Sequence, residues 1–238
     1  MYRLKRTFVF SVLFIAVLTA INAQIRLRGY EQEHIAPEFL KGQWKAQWIG
    51  VPEYDLSDFG VYHFRKTINL EQVPAKFIVH VSADNRYKLF VNDSLVALGP
   101  CRGDVSNWNY ETIDLAPFLR EGRNILASVV WFLEPKDTPV AQVSFGKAGF
   151  LMQGNSKTEA VVNTDKSWKC IRNTAYGKCT TGRVRGYYAA GATELIQTGQ
   201  YPHGWAKADF DDSQWKQALE AGRAAAKGTM NYSERLLV

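Results

Sequence analysis

From Trp44 onward, short apolar runs recur at roughly ten-residue spacing, separated by turn-forming residues. Trp44-Lys45-Ala46-Gln47-Trp48-Ile49-Gly50 opens the series. Val61 to Ile68 is rich in β-formers and alternates loosely from Phe64. Lys76 to Ala83 places Phe77, Val79 and Val81 on one face, with Ile78 and His80 on the other. That two-residue period is the mark of a strand. Tyr87 to Val91 and Leu95 to Leu98 flank Asn92-Asp93-Ser94, a hairpin signature because Asn and Asp tolerate positive φ. Tyr110 to Leu115 reads as a further strand ending at Pro117, with a turn region over 117–124. Ile125 to Trp131 is nearly all apolar, which predicts a strand buried on both faces with Trp131 in the core. Ala141 to Phe145, Phe150 to Gln153 and Ala160 to Val162 continue the pattern. Residues 172–204 read as long loops with short strands. Ala218 to Lys227 fits a helix by its Ala content and a strand by its setting.

Many short strands with regular turns predict an all-β fold, a jelly roll or β-sandwich over residues 44–238. Long stretches of 3.6-residue period are almost absent, which argues against a doubly wound α/β fold. No internal repeat is visible. Residues 24–43 are polar and form a leader segment, with a short helix expected around Pro37 to Lys41.

Residues 1–23 read as a secretory signal peptide. Arg3, Lys5 and Arg6 form a positive start, and Phe8 to Ala20 is apolar apart from Ser11 and Thr19. The apolar stretch is short for a spanning helix, which needs ~20 residues. No Cys lies near the expected cut after Ala23, and no second apolar run follows. The expectation is a secreted or periplasmic protein, free of the membrane after cleavage. The signal also accounts for half of the net charge. The chain carries 29 Lys and Arg against 23 Asp and Glu, or +6. Removing the three signal cations leaves 26 against 23, or +3. No run of five basic residues occurs, so nucleic acid is not an expected partner.

Cys101, Cys170 and Cys179 are an odd set, which argues against a disulfide framework. A Cys170–Cys179 pair and three separate thiols both remain open. His34, His63, His80 and His203 are scattered, without metal-ligand spacing. Asp209, Asp211 and Asp212 form the densest acidic cluster, but calcium needs six to eight oxygens and no EF-hand spacing is present. No metal or cofactor is expected.

Candidate chemistry is sparse. Glycoside hydrolysis uses two carboxylates flanking the bond, and no pair of acids here lies in a motif for that role. There is no Gly-x-Ser-x-Gly elbow and no phosphate-binding Gly loop. No catalytic residue is assigned. Sugar binding needs an aromatic face and planar polar groups. Arg102, Asp104, Asn107, Trp108, Tyr110 and Glu111 supply such a set in one segment. The rival reading of that segment is structural or interdomain packing. Trp168 and Trp215 follow Asp-x-Ser and Asp-Ser patterns, in which Asp and Ser tie a turn while Trp closes the sandwich edge.

Two stretches carry a resemblance. The first runs from Ala83-Asp84-Asn85-Arg86-Tyr87-Lys88-Leu89-Phe90-Val91-Asn92 through Gly99-Pro100-Cys101-Arg102-Gly103-Asp104 and Trp108-Asn109-Tyr110-Glu111-Thr112 to Gly122-Arg123-Asn124-Ile125-Leu126-Ala127. The second is Thr164-Asp165-Lys166-Ser167-Trp168-Lys169-Cys170, echoed at Asp209-Phe210-Asp211-Asp212-Ser213-Gln214-Trp215. Together they resemble the N-terminal β-sandwich region of bacterial α-L-rhamnosidases. The resemblance implies a galactose-binding-like jelly roll and a non-catalytic module that supports a catalytic (α/α)6 barrel. It also makes a rhamnose-containing glycan the candidate ligand. The barrel is not expected within these residues, so whether this chain acts as an enzyme stays open. A stand-alone periplasmic or surface carbohydrate-binding protein is the alternative.

Overall fold

The computed structural model describes residues 43–103, 105, 108–134, 144–179 and 193–225. The expected signal peptide, nearly all of the expected leader, Ala141, Asp104 and Asn107 fall outside them. The described residues form thirteen strands: β1 Gln43–Gly50, β2 Gly60–Leu70, β3 Ile78–Asp84, β4 Arg86–Val91, β5 Ser94–Gly99, β6 Glu111–Asp114, β7 Gly122–Phe132, β8 Gly149–Gly154, β9 Lys169–Arg172, β10 Tyr176–Cys179, β11 Thr193–Ile196, β12 Lys216–Gln217 and β13 Leu219–Ala225.

Two antiparallel sheets face each other. One has five strands in the order β13-β1-β8-β3-β6, the other six in the order β12-β9-β2-β7-β4-β5. β10 and β11 form a separate pair. The all-β sandwich expected from the apolar pattern is therefore the observed architecture. Phe64, Tyr87, Leu89, Val130 and Phe132 of the larger sheet meet Val79, Val81, Phe150 and Met152 of the smaller one in the central core. Phe64 stacks on Phe150 at 5.6 Å between ring centres. Burying such rings is worth about 1.5–3 kcal/mol each.

β2 and β7 pair over their full length, from Gly60 opposite Phe132 to Leu70 opposite Gly122. Asn92 and Asp93 adopt φ of 50° and 69°, so they make the hairpin turn between β4 and β5 that their tolerance for this region allows. Ser167 N–H donates to Asp165 Oδ1 at 2.8 Å and Ser213 N–H to Asp211 Oδ1 at 2.9 Å. Both Asp-Ser turns thus precede a buried Trp, Trp168 and Trp215.

One local expectation changes, one strand is added and one open alternative is decided. Glu159–Val162 is a 3-10 turn rather than a returning strand, because Asn163 Oδ1 takes the Gly154 N–H that a partner strand would have used. Lys169–Arg172, which the pattern did not single out, is a strand because it closes the edge of β2. Leu219–Ala225 is a strand despite its Ala content, since it covers the open edge of β1. Tertiary pairing here outweighs helix propensities of a few tenths of a kcal/mol per residue, about 0.5 or less.

Candidate functional site

The sandwich leaves an outer face on each sheet, and both carry aromatic residues. On the five-stranded sheet, Trp44, Ala46, Trp48 and Leu151 are covered by Trp108, Tyr110 and Phe145. His80 belongs to this layer. Its Nδ1 lies 2.9 Å from Thr112 Oγ1 and its Nε2 3.0 Å from Asn155 Oδ1, and burial pushes its pKa down.

The segment expected to bind sugar lies beside this layer, and most of its described side chains turn inward. Trp108 is buried; its indole N–H donates to Ser82 Oγ at 3.0 Å, and its ring centre lies 4.2 Å from that of Phe145. Tyr110 is half-buried between Trp44 at 5.2 Å and His80 at 5.4 Å. Glu111 is buried and accepts hydrogen bonds from Tyr87 Oη at 2.9 Å and Cys101 N–H at 2.6 Å. Burial raises its pKa against these bonds. Gly99 passes so close that a Cβ there would sit 2.2 Å from Glu111 Oε2, so the position needs glycine. Arg102 is exposed. Asp104 and Asn107 lie outside the described residues. Among the described residues of the segment, the rings of Trp108 and Tyr110 pack inward and Glu111 ties the chain after β5.

Asp84 is the other buried carboxylate in this region. Its Oδ2 accepts from Ser144 Oγ at 3.0 Å and Phe145 N–H at 2.6 Å, and its Oδ1 from Asn85 Nδ2 at 2.7 Å. Burial lifts its pKa to about 7, with the hydrogen bonds from Phe145, Ser144 and Asn85 acting in the opposite direction. Cys170 is a free thiol, buried, with its pKa pushed up to about 12 by burial; the side chain of Cys179, its partner in the pairing left open by the sequence, lies outside the described residues. Cys101 is exposed and outside any disulfide.

The outer face of the six-stranded sheet is organised differently. A strap over residues 198–215 crosses it. Trp205, Ala206 and Trp215 cover Ile125 and Ala127 of β7. This explains why β7 is apolar on both faces. The strap is held by Arg65 of β2, whose side chain is 1% exposed. Its Nε donates to Asp212 Oδ2 at 2.9 Å, and Nη1 donates to the carbonyls of Trp205 and, at 3.1 Å, Lys207. The guanidinium also lies 5.4 Å from the Phe210 ring centre. Asp212 further accepts from Lys169 Nζ at 2.7 Å. Burial pulls its pKa up, but the bonds and charges of Lys169 and Arg65 prevail and hold it below the usual carboxylate range. Two residues along β2, buried His63 meets Trp205 edge-on at 4.2 Å. Asn173 accepts Ala175 N–H through Oδ1, so its Nδ2 donates to His63 Nε2 at 2.9 Å and the ring proton sits on Nδ1. Burial drives the His63 pKa down to about 3.

Beyond the strap the described residues leave the same face open. A groove of about 880 Å³ lies between the sheet and the β10–β11 pair. Its floor follows from strand register: Trp131 of β7 has Arg86 of β4 on one side and Val61 of β2 on the other, and Val129 lies between Lys88 and His63. Tyr176, Glu194 and Ile196 form the wall opposite β4, and Tyr201 with Trp205 closes the strap end. Arg86 and Lys88 are exposed, and Trp131 is half-exposed rather than in the core as the apolar run suggested. The core faces of β4 and β7 carry Tyr87, Leu89 and Val130 instead. The sequence reading missed this groove. Its one local signal was the pair of cations two residues apart on β4; the opposite wall comes from residues more distant in sequence.

Pieces of known proteins share this arrangement. Residues 74–234 match the model of the alpha-L-rhamnosidase N-terminal domain family. The chain belongs to that family. The crystal structure of the GH78 family rhamnosidase of Bacillus sp. GL1 superposes with a TM-score of 0.64 at 25% identity, over 82% of this chain and 20% of that one. The Streptomyces avermitilis alpha-L-rhamnosidase complexed with L-rhamnose gives 0.51 at 21% identity, over 84% and 16%. The Pleurotus ostreatus lectin in its apo form shares the fold, with a TM-score of 0.50 at 20% identity, over 82% of this chain and 46% of the lectin. This chain thus spans about a fifth of the Bacillus rhamnosidase. No curated protein sequence matches it.

Proposed function

We propose that this chain is the non-catalytic β-sandwich module of a secreted α-L-rhamnosidase-type glycoside hydrolase, which supports the catalytic domain and holds carbohydrate in the groove beside β4 and β7. The observation that carries the binding role is the groove itself. Its size lies within the ~300–1,000 Å³ of small-ligand sites. Its lining combines Trp131, Tyr176 and Tyr201 with Arg86, Lys88 and Glu194. Such rings offer a face to the apolar side of a pyranose, and the charged groups can meet its hydroxyls.

The non-catalytic assignment rests on the carboxylates. Glu194 is the one acid among the described residues of the groove, whereas glycoside hydrolysis uses two flanking carboxylates. Asp84 and Glu111, the buried acids with raised pKa, are bonded into the chain around them. Secretion rests on the pattern of residues 1–23. Because the lining belongs wholly to this chain, the groove also supports the second reading, a carbohydrate-binding protein that needs no barrel.

Calorimetry with rhamnose-containing oligosaccharides tests the binding role. Millimolar or tighter binding that Trp131→Ala abolishes is the expected result. Absence of binding would remove the carbohydrate role and leave only support of a catalytic domain. Release of nitrophenol from an aryl rhamnoside by the purified chain would overturn the non-catalytic assignment.

A further inference from the structure

Among the described residues the groove is electrically asymmetric. Arg86 and Lys88 stand two residues apart on the outer face of β4, a separation of ~7 Å along a strand. Glu194 stands on the opposite wall, on β11. Trp131 lies between them, with its Cα directly opposite Arg86 in the ladder. A neutral sugar needs no such division of charge.

Resting on the carbohydrate reading above, we infer that the groove selects an acidic saccharide, with a hexuronate ring stacked on Trp131 and its carboxylate turned toward Lys88 and Arg86. A hexuronate carries its carboxylate on a carbon one bond outside the ring. Neighbouring strands lie ~4.8 Å apart. A ring seated over the β7 indole therefore carries that carboxylate onto β4, within one strand spacing at Arg86 and on the diagonal, ~7–8 Å away and within reach of a long side chain, at Lys88. The reverse orientation would bring it against Glu194, so the two walls fix the direction as well as the charge. Hydroxyls at the far edge of the ring can donate to Glu194. Lys88 is exposed, with Leu98, also exposed, opposite it in the ladder. A Lys–carboxylate bond is charge-assisted and stronger than a neutral one.

The test compares one rhamnose-containing oligosaccharide bearing a hexuronate residue with its carboxyl-reduced counterpart, by calorimetry on the whole chain. At low salt the acidic form should bind about tenfold more tightly, and the preference should shrink at high salt as the charges are screened over ~10 Å or less. Lys88→Met should narrow the ratio to about twofold or less, because the Lys88 ammonium no longer meets the carboxylate. Lys45→Met, which removes an exposed cation from the other sheet, should leave the ratio unchanged. Equal binding of both forms would overturn the acidic selection while the carbohydrate reading stands. Failure of both to bind would overturn both. Retention of acidic binding by a folded Trp131→Ala, or equal competition by dextran sulfate, would reduce the effect to surface charge and overturn the proposal. Lys88 is exposed and outside the core, so Lys88→Met remains a test even if Trp131→Ala does not fold.

Discussion

The two outer faces of the sandwich use similar residues to opposite ends. On the five-stranded sheet, Trp44, Trp48, Trp108, Tyr110 and Phe145 pack against one another around His80. On the six-stranded sheet, Trp205 and Trp215 belong to a strap fastened by Arg65, and where the strap ends Trp131 faces a groove. The difference teaches that aromatic content alone does not mark a binding face. What matters is whether a covering segment reaches the rings. The first face is closed by side chains from its own strands and the adjoining loops; the second depends on a buried cation to hold its cover and remains open beyond it.

The largest effect should come from the closed face. Trp44 is 2% exposed, and Trp44→Ala should cost about 3–5 kcal/mol. At about 2–4 °C per kcal/mol this lowers the melting temperature by ~10 °C. A melting shift below a few degrees would show that this face is loosely packed and would erase the contrast.

The strap should respond next. Asp212→Ala leaves the buried Arg65 guanidinium without its carboxylate. Breaking a fully buried pair costs about 3–5 kcal/mol, and because the Asp212 side chain is 20% exposed the expected loss is smaller, about 2 kcal/mol. Hydrogen exchange should show amides of 201–215 losing protection before those of β2 and β7. Uniform loss across both sheets would mean that strap and sandwich unfold as one unit.

The smallest effect, counted per pH unit, is a pH slope. His63 has a pKa of about 3 in the folded protein against 6.5 unfolded, so between these values the unfolded chain binds the extra proton. The stability His63 contributes is complete above pH 6.5 and is lost as the pH falls toward 3. Asp84 runs the other way: its folded pKa, raised from 3.8 to about 7, gives stability present at low pH and lost as the pH rises through that window. His63→Gln should therefore lower the slope of stability against pH on the acid side by up to about 1.4 kcal/mol per pH unit, leaving the opposite slope of Asp84 uncompensated. Chemical denaturation at pH 4.5 and 6.5 reads this out. An unchanged slope would place the acid sensitivity on the other face, at His80.

Much of the fold was legible along the chain. The alternation in Phe77-Ile78-Val79-His80-Val81, the Asn92-Asp93 turn and the apolar run from Ile125 each gave the strand or turn that forms, because side-chain period and backbone tolerance are local properties. The ends of the sheets were less legible. Lys169–Arg172 and Leu219–Ala225 become strands by completing edges whose other half lies far away in sequence. The groove was the least legible part. Arg102 to Glu111 held the right residue types together in sequence, yet Trp108 and Glu111 turn inward to meet Ser82, Phe145, Tyr87 and Cys101.

The sequence by itself determined the class of fold and the family, since short alternating runs, turn residues and linear motifs need no knowledge of distant partners. Only the tertiary structure decided which tryptophans are sealed and which one faces a groove. Whether a strand's outer side is covered depends on where another segment docks. Here that docking is decided by Arg65 meeting Asp212, a pair 147 residues apart, and no pattern along the chain encodes it.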